Sequence, residues 1–192
     1  MRILIFASGS GSNAENLIQF FRQADHSKVG VVAGIVCNNS QAGVIERAAR
    51  LGINCLVVSN EQWKDSDFIL ASILKFRANL AVLAGFLRPF PSPLIEYFDG
   101  KVINLHPALL PKFGGKGMYG MNVHKAVIAQ REVQSGITIH WVNERYDEGK
   151  IIAQFTCEVE EGDTAESLAQ KIHNLEEKHF PEVVKRVITA IS

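Results

Sequence analysis

The chain has no surplus of either charge: twenty lysines and arginines balance twenty aspartates and glutamates over 192 residues. Without a basic excess, the electrostatic footprint of a nucleic-acid binder or of an anionic-membrane binder is missing, so neither partner is expected. No apolar run reaches membrane-spanning length, and Met1 leads straight into a strand-like segment without a signal-peptide layout. A cytoplasmic location is the expectation. Cysteine is scarce. Cys37, Cys55 and Cys157 lie far apart with no C-x-x-C spacing, which argues against a thiolate zinc site and a disulfide framework and leaves free thiols in a reducing compartment. His26, His124, His173 and His179 show no metal-ligand spacing either, so no metal is expected.

What the chain does have is alternation. Arg2–Ala7 is a short, almost continuous apolar run, as in a central parallel strand, and it ends in Ser8-Gly9-Ser10-Gly11-Ser12-Asn13. Ser12 and Glu15 have capping-box spacing, which predicts a helix start near Ala14, with Leu17, Ile18, Phe20 and Phe21 on its inner side. Strands at Val29–Cys37, Cys55–Val58 and Leu80–Ala84 alternate with helices at Val44–Leu51, Asp65–Phe76 and Ser92–Phe98. In the helix Asp65–Phe76, Phe68, Ile69, Ile73, Leu74 and Phe76 form the expected inner face. The pattern predicts an α/β fold with a doubly wound, mostly parallel sheet. After a helix at Asn122–Ala129, Ser135–Val142 and Ile151–Glu158 read as an antiparallel strand pair joined through Asn143–Lys150. Asp163 and Glu166 suggest a cap for a long final helix that Pro181 must kink or restart. No repeat or linker interrupts residues 1–192, so one domain is expected.

Three constellations could carry chemistry. Gly9-x-Gly11-x-x-Ala14 fits the G-x-G-x-x-A fingerprint in strand–turn–helix context, a geometry that gathers free backbone N–H groups and can hold a phosphate. A dinucleotide site would also want a carboxylate after the second strand, where this chain has Asn38 and Asn39, so phosphate binding is better supported than NAD binding. Asn104-x-His106 closes the strand from Lys101, ahead of Pro107 and Pro111. A carboxamide and an imidazole two apart in a strand share a face, where one can donate to an oxyanion and the other can move a proton. Asp147, in Tyr146-Asp147-Glu148-Gly149, is either a turn carboxylate or an acid that folds back beside His106 and raises its pKa. His140 alternates with Thr138 and Val142 and reads as a packed, hydrogen-bonded histidine. The basic loop Lys112–Lys116 could meet an anion or be solvated.

These pieces, in this order, resemble the phosphoribosylglycinamide formyltransferases, folate-dependent enzymes of purine synthesis. The likeness runs through Ser8–Asn13, Glu46-Arg47-Ala48 with Gly52-Ile53, Leu83–Arg88, Asn104–Pro111, Gly136–His140 and Asp147-Glu148-Gly149. It implies a phosphate-binding half over 1–100 and a folate-binding, catalytic half over 101–192. The co-substrate would be 10-formyltetrahydrofolate and the acceptor glycinamide ribonucleotide, with no metal; the protein would be a monomer or homodimer. Gly11, Ser12 and Asn13 would hold the phosphate and Glu176 the ribose. Leu87, Arg88, Pro89 and Phe90 would line the pterin site, with Asn104, His140 and Asn143 also on the folate. Asn104, His106 and Asp147 match the catalytic residues, with Asn104 donating to the oxyanion and His106 kept cationic by Asp147. The chain departs from the family near Lys64-Asp65, where an Arg is usual, in the extended loop Gly114–Gly120, and at Glu176-Glu177, where the family has Glu-His. A formyltetrahydrofolate deformylase or another formyl transferase could use the same Asn-His-Asp set. Deformylases typically add an N-terminal domain and tRNA-directed transferases a C-terminal one, and 192 residues leave room for neither. A non-catalytic nucleotide-binding module is the more distant alternative.

Overall fold

The computed structural model describes residues 1–192. Its elements in chain order are β1 (Arg2–Ala7), α1 (Ser12–Arg22), α2 (Ala24–Ser27), β2 (Val31–Cys37), α3 (Gly43–Arg50), β3 (Cys55–Val57), α4 (Ser66–Ile73), β4 (Leu80–Leu83), α5 (Ser92–Tyr97), β5 (Val102–His106), α6 (Met121–Ala129), β6 (Gln134–Trp141), β7 (Ile151–Glu158) and α7 (Ala165–Ile191). One seven-stranded sheet runs in the order β3-β2-β1-β4-β5-β6-β7. The first five strands are parallel, and β6 is antiparallel to both β5 and β7. The doubly wound sheet and its antiparallel end are therefore as the pattern predicts, with strand and helix ends shifted by a residue or two.

Alternation along each strand feeds a core on either face. Ile3, Ile5 and Ala7 pack with α1, α3, α6 and α7, whereas Leu4 and Phe6 pack with α4, α5 and Trp63. In β5, Ile103 and Leu105 belong to the first layer and Val102 to the second, so Asn104 and His106 share the second face. The order turns at β1, which pairs β2 on one side and β4 on the other. Ligands in open α/β sheets bind beyond the strand ends at such a switch point. Here Ser8 and Gly85 join across it, the Ser8 N–H donating to the Gly85 carbonyl at 3.0 Å.

Several local expectations are corrected. The first helix begins at Ser12, with Gly11 at φ 81° as its cap and no side-chain capping bond. Glu15 is instead taken by Arg47 and Arg50, and Arg47 also donates through Nε to the Ser10 carbonyl at 2.9 Å, bracing the glycine loop against α3. At the last helix the capping box is Thr164 with Ser167, one residue later than Asp163 with Glu166. Asp163 accepts from Lys171 at 2.7 Å and from the Ser167 hydroxyl at 2.6 Å. Pro181 does not restart the helix: α7 is continuous from Ala165 to Ile191. A proline has no N–H to offer the carbonyl four residues back. The carbonyl of Glu177 instead accepts from Asn16 Nδ2 of α1 at 2.8 Å. In α4 and the 3₁₀ turn after it, Ile69, Ile73 and Phe76 face the core, whereas Phe68 and Leu74, each one position off that face, are exposed.

The three thiols are free, Cys37 buried and the others half-buried. Burial raises all of them, Cys55 to about 11. No helix is long and apolar enough to cross a membrane.

Candidate active site

Two cavities open beyond the carboxyl ends of β1, β4 and β5. The larger, about 320 Å³, is lined by Gly9–Asn13 and Glu176 at one end and by Asn104, His106 and Asp147 at the other. The smaller, about 90 Å³, takes Arg88, Pro89, Phe90, His140 and Asn143. Phe86, Asn104, Tyr146 and Asp147 line both, so they form the wall where the cavities meet.

The glycine loop supplies the first end. Its left-handed Gly11 turns the chain so that the N–H groups of Ser12 and Asn13 enter α1 without backbone acceptors. Free amides at the positive end of a helix form an anion site. Glycine is required at 11 for a second reason: a Cβ there would lie 2.7 Å from the Cα of Val44. Glu176 reaches this loop from α7, accepting from Asn13 Nδ2 at 2.8 Å. Burial raises the Glu176 carboxyl above its ordinary 4.5, partly offset by that bond and by His173. Asn38 is no ribose ligand. It is buried, accepts from the Ser8 hydroxyl at 2.5 Å and donates to Asn60. Ser8 was not singled out from the sequence, yet its hydroxyl ties the first loop to the loop after β4 by accepting from the Leu87 N–H at 2.9 Å.

At the wall, β5 and β6 register Asn104 against His140 and His106 against Thr138. Asn104 Nδ2 lies 3.0 Å from His140 Nε2 and 3.5 Å from Asp147 Oδ1. His140 Nδ1 lies 2.9 Å from the Trp141 carbonyl, making it the packed, hydrogen-bonded histidine expected. His106 Nε2 donates to the Phe113 carbonyl at 2.8 Å, and its Nδ1 stands 3.6 Å from Asp147 Oδ2. Asp147 has folded back as one of the two readings required. It sits at φ 59°, a conformation aspartate tolerates better than most residues, and accepts from the Gly115 N–H at 2.9 Å. Phe113, at φ 56°, is a bulky residue in the same region, and its carbonyl is the one that His106 holds.

The electrostatic half of the expectation is reversed. Burial, the largest influence, pulls His106 below its ordinary 6.5 despite the charge of Asp147, so the unliganded imidazole is neutral at pH 7 rather than cationic. For Asp147, burial pushes upward, but the His140 ring 3.7 Å away, the charge of His106 and the Gly115 N–H outweigh it and hold the carboxyl below 3.8. Burial also lowers His124, which lies in the larger cavity. Between 6.5 and their folded values the two histidines bind protons only in the unfolded chain, so stability falls as pH drops through that window. Asp147 adds the same trend at lower pH, below 3.8. Glu176 opposes it, since its raised carboxyl contributes stability that is full below 4.5 and lost as pH rises through its folded value. The urea midpoint should therefore fall as pH is lowered from about 7 to about 5.5, more steeply in Glu176→Gln. A midpoint that is flat across that range in both proteins would contradict the assignment.

Of the other expected contacts, Leu87 lines the larger cavity rather than the smaller one and is partly exposed. Lys64 pairs with Glu61 at 2.9 Å and lines neither cavity, and Lys112 pairs with Glu132 at 2.8 Å. The extended loop brings Met118, Tyr119 and Gly120 to the larger cavity.

Comparison with known proteins agrees with this geometry. The model of the formyl transferase family matches residues 1–184. The chain belongs to the formyl transferase family. It is 40% identical over 188 residues to the chloroplastic phosphoribosylglycinamide formyltransferase of Arabidopsis thaliana, covering 95% of this chain and 64% of that one. It is 34% identical to the phosphoribosylglycinamide formyltransferase of Bacillus subtilis, covering 97% and 94%. Among formyl transferase structures, the phosphoribosylglycinamide formyltransferase of Anaplasma phagocytophilum superposes with a TM-score of 0.88 at 31% identity, over 98% of this chain and 87% of that one. The chain thus spans less than two thirds of the plant relative's length and nearly all of the Bacillus one.

Proposed function

We propose that this chain transfers the formyl group of 10-formyltetrahydrofolate to the glycinamide amine of 5′-phosphoribosylglycinamide, a step of purine synthesis in the cytoplasm. The observation that carries the reading is the shared wall: Asn104 and Asp147 stand where the glycine-loop cavity meets a smaller one. A ribonucleotide with its phosphate on Gly11–Asn13 and Glu176 near its ribose would extend its amine toward that wall. A folate seated along Arg88, Pro89, Phe90, His140 and Asn143 would bring its formyl carbon from the other side.

The chemistry is acyl transfer. The amine forms a C–N bond to the formyl carbon, and the carbonyl electron pair moves onto oxygen, where Asn104 Nδ2 donates to the developing charge. His106, neutral with Nε2–H held on Phe113, offers its Nδ1 lone pair to the ammonium proton. Asp147, ionised 3.6 Å away, stabilises the imidazolium that forms. The bond from the formyl carbon to the folate nitrogen then breaks, and that nitrogen takes the proton back from His106. Tetrahydrofolate and the formylated amide leave. Preorganised donors of the Asn104 kind contribute roughly 3–4 kcal/mol each in acyl-transfer sites.

The test is to supply 10-formyltetrahydrofolate with and without glycinamide ribonucleotide and follow tetrahydrofolate release by absorbance. Release is expected only with the ribonucleotide. Release without it would make the chain a deformylase, and no release in either case a binding module.

A further inference from the structure

Two residues that line the larger cavity carry buried polar atoms with no partner in the protein. One is Asn13 Oδ1, and its orientation is fixed, because flipping the amide would turn an oxygen toward the Glu176 carboxylate. The other is Nδ1 of His124, on a residue only 5% exposed. Its helix α6 buries Val123 and Val127 in the core beside it, yet places this imidazole on the cavity. Buried polar atoms almost always have partners, and an orphan marks either strain or a group awaiting a ligand.

We propose that His124 is a binding residue for the phosphoribosyl substrate, hydrogen-bonding its neutral polar part. The inference rests on the activity proposed above. His124 lines the cavity that contains Gly11–Asn13 and Glu176 and is absent from the smaller, pterin-side cavity, so the ligand it meets is the ribonucleotide and not the folate. Burial keeps the ring neutral, with one N–H and one lone pair to offer. That suits a hydroxyl or an amide, which both donate and accept, better than a phosphate dianion, which finds its donors in the glycine loop. Asn13 Oδ1 adds a second acceptor for the same groups.

The experiment is calorimetric titration of wild type, His124→Phe and His124→Gln with glycinamide ribonucleotide and with ribose 5-phosphate, beside thermal midpoints and KM for each substrate. Phenylalanine keeps the ring volume and deletes both nitrogens; glutamine keeps a donor and an acceptor. His124→Phe should weaken the ribonucleotide about tenfold or more, leave the folate KM unchanged and melt no lower than wild type, because an unpartnered atom is gone. His124→Gln should recover part of the affinity. Equal weakening of ribose 5-phosphate assigns the bond to the ribose, and weakening of the full ligand alone assigns it to the glycinamide. Unchanged affinity in both variants overturns the inference, as does affinity lost only together with a lowered midpoint in both. Titration needs no turnover, so a wild type that binds the ribonucleotide without formylating it would overturn the activity alone, and one that does not bind it would overturn both.

Discussion

Replacing His106 with alanine should cut turnover by about a thousandfold and leave the affinity for the ribonucleotide within a fewfold. A positioned acid–base group contributes roughly 10² to 10⁴ in rate, and here the same ring also holds the carboxylate that stabilises its cation. The glycine-loop end of the cavity is built by other elements, so binding has no reason to follow. One complication is mechanical: the ring donates to Phe113, and its loss frees the start of the loop that Gly115 anchors on Asp147. His106→Gln separates the effects, because its carboxamide reaches as far as Nε2 and can still donate to that carbonyl but cannot carry a proton. Both variants should be equally slow, measured as kcat and KM with the fold checked by circular dichroism. Near-normal kcat in either would remove His106 from the chemistry.

Gly11→Ala should damage both stability and ribonucleotide binding. The new Cβ would stand 2.5 Å from Val44 Cγ2 and 2.7 Å from its Cα, so backbone as well as side chain must yield, and alanine would sit at φ 81°. Left-handed alanine costs about 1–2 kcal/mol and overpacking about 1–3 more, a total of roughly 2–5 kcal/mol. Whatever folded protein remains should lose ribonucleotide affinity by more than about tenfold, since the amides of Ser12 and Asn13 are aimed by this turn. Gly9→Ala is the control. Nothing lies within 4 Å of a Cβ there, so stability should hold within about 0.5 kcal/mol. Denaturant midpoints of the pair decide it: equal midpoints would mean the loop moves freely against α3.

The sheet was legible because buried parallel strands write themselves as apolar runs, and β1, β4 and β5 are of that kind. Asn104 and His106 were legible as polar breaks in such a run. Helix starts were less so: Ser12 and Glu15 have the right spacing, but Arg47 and Arg50, from another helix, compete for that carboxylate and win. The proximity of Asp147 to His106 was one of two readings of a turn. The sign of the His106 shift was not readable, because burial sums over loops that meet only in three dimensions. His124 carried no sequence signal at all. It stands in an unremarkable helix, and only packing reveals that its buried Nδ1 has no protein partner.

The proline in α7 has a consequence for how the molecule comes into being. Glu176 meets Asn13 across 163 residues of sequence, and the neighbouring carbonyl of Glu177, released by Pro181, meets Asn16 across 161. The glycine loop leaves the ribosome early, but its carboxylate partner arrives only with the last helix. That end of the larger cavity is therefore completed only once α7 has emerged, and a nascent chain lacking α7 holds the loop without Glu176. Nicking the protein ahead of that helix would undo the same seam from the other direction.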